Sequence, residues 1–469
     1  MEKQKKIQRN KKMYSFELLP TEENLIETLS QDLLGRNKDL VHFYNLLLAQ
    51  NFSGSIALNG KWGSGKTFFI KQSMLLINAR NPMSNMEEEK RTSILKSLSF
   101  GKGENEGKEN YDIAIYYDAW ENDNDADPVL SLVYEITRQL SVEYAFEQNS
   151  DMFGLAATIL EALTGRNISG VLDKLKSENP LQKIQEEKDL QANVKAFFSE
   201  SLKERGNRLV IFIDELDRCK PSYAVKLLEK IKHYFGDERV TFVFSINLEE
   251  LQHTIKHYYG NTFDACRYLD RFFDMRISLP PADMDRFYQN VGLSSRYLLE
   301  YVCRRVIEVY NLQIREITRF YGQVRVAVYE PTHESRKWDF SFGDGKARHM
   351  LFMYIVPIIV GLRIVDISLY NEFVEGKNAQ PLIDIYKESY IGTRLLGSLL
   401  KRDEAFEERE GLKLVTKEQK LVELYEAIFV VDYADVYDKV VGEYEFNKGS
   451  KALVKNVASM LSQYADFEV

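Results

Sequence analysis

The segment Gly60-Lys61-Trp62-Gly63-Ser64-Gly65-Lys66-Thr67 constrains this chain more than any other. It matches G-x-x-x-x-G-K-[ST] in full. It also lies between Ser55-Ile-Ala-Leu58, which reads as a buried strand, and Phe68 to Ile77, which reads as a helix. Glycines at 60, 63 and 65 let the backbone curl until successive N–H groups point inward as an anion nest. The following helix adds the positive end of its dipole. Lys66 then reaches β- and γ-phosphates as a point charge, and the Thr67 hydroxyl is a ligand for Mg²⁺. The residues expected to hold a nucleotide are Gly60, Lys61, Trp62, Gly63, Ser64, Gly65, Lys66, Thr67 and Phe68.

Hydrolysis needs a metal anchor and a group that orients water. Leu209-Val-Ile-Phe-Ile213 is an apolar strand that delivers Asp214 at its carboxyl end, where a carboxylate can hold Mg²⁺ through water. Glu215 follows and is the natural group to polarise the attacking water, although Asp217 could share or take that role. Asn247 ends a fourth strand, Phe242 to Ile246; it either bonds the water or caps the helix that starts at Leu248. A cationic finger is also required, worth on the order of 10³–10⁵ in rate. Arg267 and Arg271, just before a fifth strand over 273–279, are the first candidates. Arg218 is another, and Arg315 is a candidate second sensor.

Strands rich in Val, Ile and Phe alternate with helical segments up to Pro280-Pro281, which describes a parallel sheet covered on both faces. The strand Asp112 to Tyr117, placed between the P-loop strand and the Asp214 strand, suits the additional-strand class of ATPases. Beyond Pro281 the chain reads as almost wholly helical. Residues 81–110 read as a charged surface insertion with a mobile second half, and 150–200 as helical and amphipathic.

With 469 residues, a prior of roughly 100–200 per domain gives two to four domains. A formal charge of −9 argues against a dedicated nucleic-acid coat. A local basic groove stays open, since Arg296, Arg304, Arg305, Arg315, Arg319 and Arg325 interleave with Tyr297, Tyr301, Tyr310, Phe320 and Tyr321. Those aromatics recur at helical spacing, which more often means core packing than a stacking platform. Cys219, Cys266 and Cys303 have neither disulfide nor zinc spacing, which fits a reducing, cytoplasmic compartment. Met1 to Lys12 is basic but lacks a signal peptide's apolar stretch. The runs Phe153 to Leu163 and Leu351 to Leu362 fall short of a membrane span and read as buried helices. His253 and His257 lie four apart without an evident third ligand and read as a solvated or packed pair.

Together, Gly60 to Thr67, Tyr117-Asp-Ala-Trp-Glu121, Ile213-Asp-Glu-Leu-Asp-Arg-Cys219 and Tyr268-Leu-Asp-Arg-Phe-Phe273 resemble the KAP family of P-loop NTPases. Glu215 stands where the family commonly has Asp, and Asn247 where many members have Asp. The resemblance implies an α/β fold: a P-loop NTPase core with a five-stranded parallel sheet over 31–281, after a tail over 1–30. A helical lid over 282–330 and a helical C-terminal domain over 331–469 complete the expectation. Many relatives insert two membrane helices after the P-loop; here the amphipathic 150–200 stretch fills that interval, so no membrane partner is expected. It implies ATP and Mg²⁺ as ligands and an ATP-hydrolysing switch that self-associates or controls a partner effector, as in bacterial anti-phage defence. A nucleotide-dependent nucleic-acid remodeller and an ATP-holding scaffold with little turnover are the alternatives.

Overall fold

The structure is a computed structural model. It describes residues 18–49, 54–98, 111–125, 127–143, 154–159, 180–203, 205–293, 297–328, 345–434 and 437–459. The basic segment Met1 to Lys12, the Gly101 to Gly107 stretch, Phe153, residues 160–179 and Arg296 lie outside the described residues. Two compact units result, one spanning Leu19–Phe287 and the other built on Tyr288–Val469.

The first unit is organised by five strands: β1 (Gly54–Asn59), β2 (Asp112–Asp118), β3 (Arg208–Asp214), β4 (Val240–Ile246) and β5 (Met275–Ser278). All pair in parallel, in the order β2-β3-β4-β1-β5. β3 and β4 run buried almost end to end, as strands covered on both faces must. Their side chains alternate between two separate cores. Leu209, Ile211, Ile213, Phe242, Phe244 and Ile246 pack with helices Pro128–Glu143, Pro221–Tyr234 and Leu248–Tyr259. Val210, Phe212 and Val243 face the helices Glu22–Gln31, Asn37–Ala49 and Lys66–Arg80. The period-2 alternation of a strand thus sorts one apolar run into two layers.

One expectation is corrected here. The strand between the P-loop strand and the Asp214 strand is β4, whereas Asp112 to Tyr117 forms the sheet edge. Chain order does not reveal this, because each parallel crossover can skip a neighbour. The sheet is still of the additional-strand type, with β4 inserted between β1 and β3.

Edge strand β2 has an open row of backbone groups that side-chain amides fill. Asn81 donates to Asp112 O (3.1 Å); Asn78 donates to Ala114 O (3.0 Å) and accepts from Ala114 N–H (2.9 Å). Gln139 does the same for Tyr116, with bonds of 2.6 and 3.0 Å. Residues 112, 114 and 116 are thereby closed to further strand pairing, which protects an edge. Helix Glu88–Ser97, inside the stretch read as a surface insertion, buries Ile94 against this unit.

In the second unit, helices Leu298–Tyr310 and Ile314–Val328 bury Val306, Phe320 and Val324. They pack on a continuous helical run over Lys346–Val365, interrupted by a π-turn at Leu351–Ile355. A Cβ on Gly361 would lie 2.5 Å from Val306 Cγ1, so glycine is what permits the close helix approach there. The Tyr386 phenol donates to Tyr354 O within the π-turn (2.6 Å), satisfying a carbonyl displaced from the regular ladder. Contrary to the shorter extent read from sequence, Lys346–Val365 is long and apolar enough to cross a bilayer by length and composition; 72% of its most apolar window is buried inside the protein.

Beyond Pro281 the described residues are mainly helical, with two short exceptions: Glu404–Ala405 pairs with Lys413–Leu414, and Asp438–Val441 forms an antiparallel hairpin with Tyr444–Asn447. One further expectation changes. Among the aromatics read as core, Phe320 and Tyr321 are buried, but Tyr297 and Tyr301 are exposed. They begin a helix whose buried face is carried by Leu299, Val302, Cys303 and Val306 instead.

Candidate functional site

The carboxyl ends of β1, β3 and β4 meet at one edge of the sheet, where the chain of an α/β fold leaves room for a ligand. β1 ends at Asn59, whose side chain accepts the Leu248 N–H (2.9 Å), and Gly60 N–H donates to Ile246 O (3.1 Å). The start of the glycine-rich loop is therefore stitched to the end of β4. Gly63 and Gly65 adopt φ of 75° and 92°, conformations that strain any residue with a Cβ. A Cβ on Gly60 would press on Ser64 Oγ, Leu279 Cβ and Lys66 Cγ at 3.1–3.2 Å. Those three glycines shape a cradle that closes onto helix Lys66–Arg80.

Lys66 is 8% exposed, and its ammonium donates to the carbonyls of Gly60 (2.8 Å) and Lys61 (3.2 Å). Burial pulls its pKa down; Asp217, Asp214 and Glu215 oppose that. On the next residue, Thr67 Oγ1 donates to Asp214 Oδ2 at 2.7 Å. Asp214 is almost wholly buried at the end of β3, and burial raises its carboxyl pKa against the hydroxyls of Ser245 and Thr67 and the Lys66 charge. A hydroxyl and a carboxylate so placed are hard oxygen donors of the sort Mg²⁺ takes, so the residues present fit that ion.

Glu215 turns the chain sharply off β3, with φ of 60° at a non-glycine residue, a conformation costing on the order of 1–3 kcal/mol. Burial and the adjacent Asp214 push its carboxyl pKa up to about 7, while Arg218 works the other way. Asp217 is buried and accepts the Trp62 indole N–H (2.5 Å). Asn247 accepts Glu249 N–H (3.2 Å) and caps helix Leu248–Tyr259, the second of the two roles its position allows. Arg267 and Arg271 are both exposed, and among the described residues neither makes an ion pair. Arg315 belongs to helix Ile314–Val328 in the other unit.

Three residues at this edge had no role assigned from sequence. The Tyr116 phenol, whose pKa is raised by burial and by Asp214 and Asp118, bridges Asp214 Oδ2 (3.2 Å) and Asp118 Oδ2 (3.4 Å). Asp118 stands opposite Asp214 in the β2–β3 register and ties down Trp120 N–H and Glu121 N–H. Counting back by twos from Asp118 puts Tyr116 on the same face, a signal available once the register is known. Arg36, 7% exposed, donates from Nη1 to Ser64 O (2.9 Å) and braces the loop; burial pushes its guanidinium down to about 10. Only its tertiary neighbour marks it out.

Set beside known protein families, this constellation has a match: the model of the KAP family P-loop domain covers residues 40–329, well over half of the chain. The chain belongs to the KAP family. A search of the curated proteins finds none that matches. The KAP match runs through every strand of the sheet and on into helices Leu298–Tyr310 and Ile314–Val328 of the second unit. As a KAP P-loop domain, the chain has the fold of a nucleotide-binding NTPase.

Proposed function

We propose that this KAP domain is a Mg²⁺-dependent ATPase that works as a nucleotide-driven switch. The observation that carries the reading is the contact between Thr67 and Asp214 beside the buried Lys66 ammonium. Gly60 to Gly65 would wrap the phosphates with their main-chain N–H groups, and Lys66 would exchange two loop carbonyls for the β- and γ-phosphate oxygens. Thr67 and Asp214 would hold Mg²⁺, which supplies neutralisation of the charge on the phosphates. Glu215 would draw a proton from the attacking water. Exposed Arg267 and Arg271 suit a finger presented to a neighbouring copy, which would make turnover depend on self-association. Adenine as the base, control of a partner effector and a place in anti-phage defence extend the same reading.

The test is a pair of variants in the full chain. Lys66→Ala should abolish binding of labelled ATP with Mg²⁺, whereas Glu215→Gln should keep binding and lose about 10²–10⁴ in turnover. ATP binding unchanged in Lys66→Ala would remove the nucleotide reading; full turnover in Glu215→Gln would remove the assignment of the base and favour Asp217. Single- or double-stranded DNA or RNA in the same assay should leave turnover flat. Stimulation would favour a nucleic-acid remodeller.

A further inference from the structure

Arg218, on the turn after β3, reaches three different segments at once. Arg218 Nε lies 2.5 Å from Glu215 Oε2, with the two side chains 23% and 16% exposed. The guanidinium carbon sits 5.6 Å from the Trp62 ring centroid and 5.7 Å from that of Trp120. Trp62 belongs to the phosphate loop and Trp120 to the turn that follows β2. Trp62 also donates its indole N–H to Asp217, the residue just before Arg218. Trp62 and Trp120 are 43% and 53% exposed, so each ring keeps a solvent-facing part while the same guanidinium lies over both.

An ion pair that merely braced the 215–218 turn would need no tryptophan from the phosphate loop. Here the loop, the β2 turn and the acidic turn share one guanidinium, and the planar fork suits both a carboxylate and stacked rings. Glu215 gives Oε2 to this contact.

We propose that Arg218 is a positioning residue that, through its clamp between Trp62 and Trp120, orients Glu215 according to the state of the phosphate loop. The proposal rests on the reading of Glu215 as the group that acts on water. Arg218 so placed touches neither phosphate nor water; it sets where the carboxylate points. It is therefore distinct from a finger, which would contact the γ-phosphate.

The experiment compares the full chain with Arg218→Ala, Arg218→Lys and Trp120→Ala, measuring steady-state ATP turnover and equilibrium binding of labelled ATP. Arg218→Ala should lower kcat at least about tenfold while KM and ATP affinity stay within about twofold. Arg218→Lys, which keeps charge but not the fork, should fall between it and the parent chain. Trp120→Ala removes one ring of the clamp at an exposed position and should cost about two- to fivefold in kcat at constant KM. Parent-level kcat in Arg218→Ala, or ATP affinity lost in step with kcat, would overturn the proposal. Should Arg218→Ala fail to fold, unchanged kcat in Trp120→Ala would overturn it equally. A parent chain that neither binds nor hydrolyses ATP fails at the earlier step, the nucleotide reading itself, and takes this inference with it.

Discussion

Tyr116 shows how much of a site one residue can hold in place. Its phenol bridges Asp214 and Asp118, two carboxylates on neighbouring parallel strands that would otherwise repel each other across the sheet. Burial keeps the phenol protonated, so its single O–H is shared between the two, nearer Asp214 than Asp118. Outer-sphere donors of this kind set the direction of a ligand's lone pairs, and their loss costs about 10–100-fold in metal affinity or activity. Tyr116→Phe should therefore raise the Mg²⁺ concentration for half-maximal ATP turnover by about tenfold or more, with the fold unchanged by circular dichroism. An unaltered Mg²⁺ titration would separate Tyr116 from the metal-holding group. Phosphate-loop residues Gly60 to Thr67 announce themselves in sequence because their chemistry demands glycine, lysine and a hydroxyl at fixed spacing. Tyr116 and Arg36 do not, because tyrosine in a strand and arginine after a helix are ordinary until a neighbour gives them work.

Among the elements, β2 depends most on side chains beyond its own. A parallel edge strand exposes alternate N–H and C=O groups, and here Asn81, Asn78 and Gln139 from two flanking helical segments meet them in turn. Asn78 is 2% exposed and bonds both backbone groups of Ala114. Replacing it with alanine leaves two buried backbone groups unpaired at a cost of about 1–3 kcal/mol each. Asn78→Ala should thus lower the denaturation midpoint by about 2 kcal/mol or more in free energy, read from urea titrations, and weaken ATP turnover by loosening Asp118 at the end of the strand. Stability equal to the parent chain would show that water or a rearranged amide replaces those bonds. The identity of β2 as a strand was legible from Asp112-Ile-Ala-Ile-Tyr-Tyr117. Its place at the edge was not, because alternation reports which faces are buried and says nothing of which neighbour lies beside it.

At the scale of the whole chain, the two units carry different kinds of buried charge. In the second, Lys420 is 1% exposed and its ammonium lies 2.9 Å from Glu404 and 2.5 Å from Glu423. Backbone and Lys420 contacts outweigh the burial that opposes them and depress the Glu404 carboxyl pKa. A carboxyl whose folded pKa lies below its unfolded value stabilises the fold above the unfolded value, and that contribution fades as pH falls through the folded one. Lys420, raised by the same partners, contributes at all lower pH and loses its share only in strong alkali. Below about pH 4 the second unit should therefore lose stability that Glu404→Gln no longer has to lose. Thermal melts from pH 7 to pH 3 should show a shallower decline in the variant. Parallel declines would assign acid sensitivity elsewhere.

The sequence by itself determined the parallel α/β core, the phosphate loop and Asp214 at the carboxyl end of its strand, since each is written in contiguous residues whose type and spacing are set by local stereochemistry. Tertiary structure decided the rest: β4 rather than β2 beside the P-loop strand, Tyr116 against Asp214, Arg36 against the phosphate loop, and Arg218 over Trp62 and Trp120. These are contacts between segments far apart in the chain. Their partners are chosen by packing and register, which no short stretch of residues carries alone.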